Sequence, residues 1–206
     1  DLVRSRGLGD VYKRQIKGNA KVAYSLFQIP MLYFTVSMRR HKDNRSKELK
    51  LMKRVLLKLS GEALAGEKKT GFDEATCMGV ARQVKQLVDD GIQVAIVTGG
   101  GNFWRGRTSE TIDRVKADQI GMLATVMNCI YVSDIFRYAG MKTEVFTPFV
   151  CGAFTTLFSK DAAVEALNEG KVIFFAGGTG HPYFSTDTTA ASVSYTHLTL
   201  PTNSRV

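Results

Sequence analysis

From residue 52 onward, short apolar runs alternate with longer segments whose apolar positions recur at helical spacing. Residues 53–59 (KRVLLKL) predict a strand that ends in Ser60-Gly61. Asp73 predicts a helix cap, because a short carboxylate can accept the unpaired N–H groups of a first turn. The helix behind it carries Cys77, Val80, Ala81, Val84, Leu87 and Val88 on one face and stops at Gly91. Residues 92–98 (IQVAIVT) form a nearly continuous apolar run, which suits a strand buried on both faces, and open into Gly99-Gly100-Gly101.

Helical sequence follows over residues 109–139, with a break expected inside it and IGMLATVM (residues 120–127) expected as a core face. A short strand is predicted at 142–146, a helix at 159–168 and another buried strand at 171–176. That last strand opens into Gly177-Gly178-Thr179-Gly180, and Thr186-Asp187 predict the cap of a further helix. Strands alternating with amphipathic helices indicate an α/β fold with a parallel sheet covered by helices.

The net charge of +9 changes this picture only once its distribution is known. Residues 52–192 hold 15 Lys+Arg and 15 Asp+Glu, so the whole excess lies in the flanks. A basic patch on the patterned core has no support, which argues against nucleic acid as a partner. Cys77, Cys129 and Cys151 are odd in number and lack metal-ligand spacing. They read as buried thiols of a cytoplasmic protein rather than as a disulfide framework or zinc site.

The flanks have their own signature. Asp10-Val11-Tyr12-Lys13-Arg14-Gln15 is encoded by GATGTGTATAAGAGACAG, and the reverse complement of that DNA, read from its third base, gives Val193-Ser194-Tyr195-Thr196-His197 and opens a Leu codon. Two strands of one inverted repeat at opposite ends indicate a translated library adapter over residues 1–15 and 193–206. Residues 16–51 are expected to be upstream DNA translated in frame, or an N-terminal extension, before a start at Met52. The apolar stretch at 24–36 is too short to span a bilayer and is interrupted by Gln28 and Pro30, so no membrane segment is expected. Residues 52–192 are then an incomplete domain, expected to be aggregation-prone and poorly active in this form.

Three predicted strand ends deliver Gly, Ser or Thr to one sheet edge, where open α/β sheets bind ligands. Glycine lets backbone N–H groups approach phosphate oxygens, so a phosphorylated ligand is favoured. The sequence Gly99-Gly100-Gly101-Asn102-Phe103-Trp104 lacks the last glycine of G-x-G-x-x-G, and G-x-x-x-x-G-K-[ST] is absent, which argues against dehydrogenase and P-loop readings.

Four longer motifs carry a specific resemblance: KLSGEAL (58–64), GGGNFWRG (99–106), ADQIGMLATVMN (117–128) and GGTGHPYFSTDTTA (177–190). With these motifs in this order, residues 53–190 resemble the uridylate kinases of the amino acid kinase superfamily. The resemblance implies an αβα sandwich with a mainly parallel central sheet, Mg²⁺ bound with ATP, transfer of the γ-phosphoryl of ATP to UMP, and a cytoplasmic homo-hexamer. It also implies GTP or UTP regulation near residues 65–71, where Lys68-Lys69 suit an anion.

Carried over by motif, the resemblance implies that Lys58, Leu59, Ser60 and Gly61 hold the ATP phosphates, with Lys58 as the cation on the transferring group. Gly101 and Arg105 fall on the ATP side, Arg105 paired to phosphate as a second catalytic cation. Gly100 and Asp118 fall on the UMP side, Asp118 accepting from the ribose. Thr179, Gly180, His181, Pro182, Tyr183, Phe184, Ser185 and Thr186 enclose the UMP base and phosphate. Metal ligands are not implied, since such metals are held largely by substrate phosphates. Phe103 and Trp104 read as packing. Asp187 reads as a cap or a ligand, and His181, where the family commonly has asparagine, is not expected to act as a base. Competing readings are a superfamily kinase acting on an amino acid or carbamate, and a nucleotide-binding module without catalysis.

Overall fold

The computed structural model describes residues 34–35, 54–105 and 111–193. The expectations for adapter sequence, apart from Val193, and for most of residues 16–51 lie outside the described residues. In chain order the elements are β1 (Phe34–Thr35), β2 (Arg54–Leu59), α1 (Gly61–Ala65), a 3₁₀ turn (Gly66–Lys68), α2 (Glu74–Asp89), β3 (Gln93–Thr98) and α3 (Arg114–Tyr138). They continue with β4 (Thr143–Thr147), a 3₁₀ turn (Gly152–Phe154), β5 (Thr156–Leu157), α4 (Lys160–Asn168), β6 (Val172–Phe175) and α5 (Thr186–Val193).

The strands form one sheet in the order β1-β2-β3-β6-β4-β5, in which only the β1–β2 pairing is antiparallel. Alternation along each strand divides the core between two faces. Leu57 and Leu59, Val94 and Ile96, and Val172 and Phe174 face α2 and α3 with Cys77, Val84, Val132 and Phe136. Leu56, Ala95, Val97, Ile173 and Phe175 face α4 and α5 with Ala163, Leu167 and Ala190. The result is the αβα sandwich the motifs imply.

Asp73 caps α2 as expected, its carboxylate accepting the Thr76 N–H at 2.8 Å, and that bond is the main reason its pKa falls below the usual value. Ser159 caps α4 in the same way. The cap expected of Thr186-Asp187 belongs to Ser185 instead, whose hydroxyl accepts from the Thr188 N–H at 3.2 Å. Thr186 and Asp187 therefore stand in the first turn of α5.

α3 differs from its expectation in two ways. It runs unbroken for 25 residues from a cap at Asp113. Gly121 sits within it without ending it, since one interior glycine costs a packed helix only about 1 kcal/mol. The motif IGMLATVM is also not wholly core. Ala124, Thr125 and Val126 are buried, but Ile120, Leu123, Met127 and Ile130 are exposed, Leu123 at 53%. α3 is apolar on two sides and only one can meet the sheet. By length and composition it could cross a membrane, yet its inner face packs into the protein core.

Candidate active site

Because β2, β3 and β6 are adjacent and parallel, their carboxyl ends bring Ser60-Gly61, the Gly99–Gly101 turn and the Gly177–Gly180 turn to one edge of the sheet. This is the convergence the glycine loops predicted. Close approach explains glycine at two of these positions. A Cβ on Gly61 would fall 2.5 Å from Asn102 Oδ1, 2.6 Å from the Gly99 carbonyl and 2.9 Å from the Gly101 nitrogen. Gly177 has φ 78°, and a Cβ there would meet the Phe149 ring at 2.7 Å. Only glycine accepts both the left-handed backbone and that contact.

Lys58 alternates with Leu57 and Leu59, so it projects on the α5 side of the sheet while they face α2 and α3. Its side chain is only 17% exposed, and its ammonium pairs with the carboxylate of Asp187, in the first turn of α5. Arg105 lies farther out and pairs with Glu62 of α1 at 2.5 Å. Leu59 is buried in the core and its carbonyl accepts from the Gly99 N–H, so the strand end is fixed through its backbone.

Beside the Gly99–Gly101 turn lies a cavity of about 150 Å³, bounded by Gly100, Trp104, Ala117, Asp118, Gly121, Met122, Thr125, Gly178, Thr179, His181, Phe184 and Thr186. Six residues singled out from sequence on the acceptor side therefore line one space: Gly100, Asp118, Thr179, His181, Phe184 and Thr186. Gly180, Pro182, Tyr183 and Ser185 belong to the same loop but not to the cavity wall.

Asp118 is not merely solvated. Its carboxylate accepts from Arg114 at 3.0 Å and from the Tyr183 N–H at 2.8 Å, tying α3 to the loop over the cavity. Tyr183 adopts φ 69°, uncommon for a residue with a side chain, and its ring lies 5.7 Å from the Arg114 guanidinium. Trp104 donates its indole N–H to the Ala117 carbonyl at 2.8 Å, and Phe103 packs edge-on to Phe72. Both make packing contacts, as the sequence suggests, and Trp104 also forms part of the cavity wall.

Three side chains that hold this site together were not singled out from sequence. Asn102 and Asn128 exchange amide hydrogen bonds at 2.9 and 2.7 Å while almost fully buried. Thr125 accepts the buried Gly177 N–H at 2.8 Å. The available signal was a polar residue inside an apolar helical run, ATVMNCIYV (residues 124–132).

Among the described residues no three His, Cys, Asp or Glu side chains converge on a metal-sized site. Glu62 and Asp187 are the carboxylates that pair with the two cations at this edge, Arg105 and Lys58. A metal held largely by substrate phosphates would need no more than a carboxylate or two from the protein, and these two are the ones at hand. Cys77 and Cys129 are buried, and desolvation pushes their thiols up to about 11 and about 12. Cys151, expected to be buried, is only half-buried because it begins the surface turn at Gly152–Phe154.

Residues 53–196 match the model of the amino acid kinase family. Among solved structures, the UMP kinase from Bacillus anthracis superposes with a TM-score of 0.65 at 36% identity, covering 68% of this chain and 58% of that one. The UMP kinase from Ureaplasma parvum superposes with a TM-score of 0.66 at 30% identity, covering 70% of this chain and 64% of that one. The chain thus spans less than two thirds of the length of either protein.

Proposed function

This chain belongs to the amino acid kinase family, and from that premise we propose that it transfers the γ-phosphoryl of ATP to UMP, giving UDP and ADP, as an Mg²⁺-dependent cytoplasmic enzyme. One observation carries the reading. A half-buried cation, Lys58, stands at the edge where three Gly-bearing turns meet, with the cavity bounded by Gly100, Asp118 and Thr179 beside the Gly99–Gly101 turn. Phosphoryl transfer asks for little else: donor and acceptor held in line, and positive charge where the moving group passes.

In this reading the N–H groups of Ser60-Gly61 and Gly101 cradle the donor phosphates, assisted by Arg105. Lys58 exchanges its Asp187 contact for the transferring phosphoryl and neutralises charge there. Asp118 and the Thr179–Thr186 loop hold the nucleoside monophosphate, whose phosphate oxygen is itself the nucleophile, so His181 needs no role as a base. Mg²⁺ bound with ATP supplies further charge neutralisation.

The outer row of α3 supports a homo-oligomer, for which we propose the hexamer. Two antiparallel copies related by a twofold axis at Thr125 set Leu123 against Met127 and Ile120 against Ile130. The same register sets Lys116 against Asp134 and Asp113 against Arg137, so both apolar and charged positions are self-complementary. Regulation by GTP or UTP is proposed at residues 65–71, which contact the site through the Asn102 amide and the Gly71 carbonyl at 2.8 Å.

Calorimetry with UMP, CMP and Mg·ADP, followed by ADP release from ATP with UMP, CMP, aspartate, glutamate or carbamate as acceptor, tests the assignment. UMP binding and weak UMP-dependent ADP release are the expected results. Preference for another acceptor, or no nucleotide binding, overturns the reading.

A further inference from the structure

α3 presents two polar side chains, one turn apart, to two different glycine turns. Thr125 Oγ1 accepts the Gly177 N–H at 2.8 Å and donates to the Met122 carbonyl at 2.7 Å. Asn128 Nδ2 donates to the Gly99 carbonyl at 2.6 Å and to Asn102 Oδ1 at 2.7 Å. Both residues are almost fully buried, Thr125 at 3% and Asn128 at 0% exposure. Buried polar groups of this kind persist only when their partners are fixed, and here every partner but the Met122 carbonyl belongs to a site loop.

We propose that Thr125 and Asn128 are positioning residues that set the spacing between the Gly99–Gly101 turn, whose Gly100 faces the acceptor cavity and whose Gly101 faces the donor, and the acceptor-side turn at Gly177–Gly180. The helix between them is the rigid spacer. Asn128 governs where the Gly99–Gly101 N–H groups stand, through the Gly99 carbonyl and Asn102. Thr125 governs Gly177, and with it the start of the loop that carries Thr179 and His181. The inference rests on the nucleotide reading of those turns and adds two residues that do the aligning without being the phosphate contacts.

The test uses the full chain with Mg·ADP and UMP as separate probes in calorimetry, together with amide hydrogen exchange in the absence of nucleotide. Thr125→Val keeps the side-chain shape and removes the acceptor, while Thr125→Ser keeps the hydroxyl. Asn128→Asp keeps the shape and replaces a donor by an acceptor facing the Gly99 carbonyl. Loss of one buried hydrogen-bond partner predicts a weakening on the order of tenfold. Thr125→Val is expected to weaken UMP and spare Mg·ADP, Thr125→Ser to restore UMP binding, and Asn128→Asp to weaken both Mg·ADP and UMP, since its turn carries Gly101 and Gly100.

Equal weakening of both ligands by both variants, with faster exchange throughout β3 and β6, marks a general loss of packing and overturns the inference. So does unchanged binding in both variants. If the unsubstituted chain binds neither nucleotide, the functional reading falls instead. The exchange rates then still decide the positioning: faster exchange confined to Gly177 in Thr125→Val sustains it, and an unchanged rate there refutes it.

Discussion

Gly61→Ala isolates the claim that the phosphate-facing edge depends on backbone close approach. The added methyl would sit 2.5, 2.6 and 2.9 Å from Asn102 Oδ1, the Gly99 carbonyl and the Gly101 nitrogen, against about 3.4 Å for ordinary contact. The neighbours must therefore yield by about 0.5 to 0.9 Å. Two are backbone atoms and the third is held in the amide pair with Asn128, so none moves cheaply. Forcing a methyl into packed surroundings costs about 1–3 kcal/mol. Gly61 opens α1, where alanine recovers less than the full helix-interior gain of about 1 kcal/mol.

A net loss of about 1–2 kcal/mol follows, a Tm decrease of roughly 2–8 °C for a domain of this size. Gly79→Ala is the control. It lies inside α2 with nothing within 4 Å of an added Cβ, so alanine is expected to stabilise by about 0.5–1 kcal/mol. Thermal unfolding of the three proteins, with Mg·ADP titrated into each, separates the cases. Gly61→Ala should unfold earlier and bind Mg·ADP more weakly, while Gly79→Ala unfolds later and binds as the parent does. A Gly61→Ala protein as stable as the parent with undiminished binding refutes the close-approach argument.

Removing the Lys58 ammonium as Lys58→Met is expected to lower ADP formation by about 10²–10³-fold, as for other charge-stabilising groups at transition states, with UMP affinity retained; unchanged turnover in a kinetic assay refutes its role. Lys116→Glu and Asp134→Lys should each weaken self-association in analytical ultracentrifugation, and the double reversal should restore it if the twofold register on α3 is right. The buried thiols of Cys77 and Cys129, raised from 9.0 to about 11 and about 12, stay protonated at pH 8, so iodoacetamide should label Cys151 first, as read by mass spectrometry. Because the folded state keeps those two protons longer than the unfolded chain, their contribution to stability is complete below pH 9 and is lost as pH rises toward 11–12, which unfolding titrations can follow.

What the sequence made legible was local. β3 and β6 were readable to within a residue or two because a strand buried on both faces has to be continuously apolar, and Asp73 was readable because a cap acts three residues away. α3 resisted for the opposite reason. Its inner face must meet the sheet and its outer face is apolar as well, so periodicity could not say which positions of IGMLATVM were core.

The site divides along the same line. Glycine turns announce themselves within a few residues, but the Lys58–Asp187 pair joins positions at opposite ends of the described domain. The Asn102–Asn128 exchange spans 26 residues, and the Thr125–Gly177 bond spans 52. None of these pairings has a periodicity, because each exists only after β2, β3 and β6 lie side by side and α3 crosses them. Most residues proposed to touch ligand sit in recognisable loop motifs, while Thr125 and Asn128, proposed to align those loops, sit in a helix and read as core. A polar residue in the middle of an apolar run, such as Asn128 in ATVMNCIYV, is therefore the signal to weigh when no motif explains it: burial without a partner would be too costly to persist, so a partner must lie elsewhere in the chain.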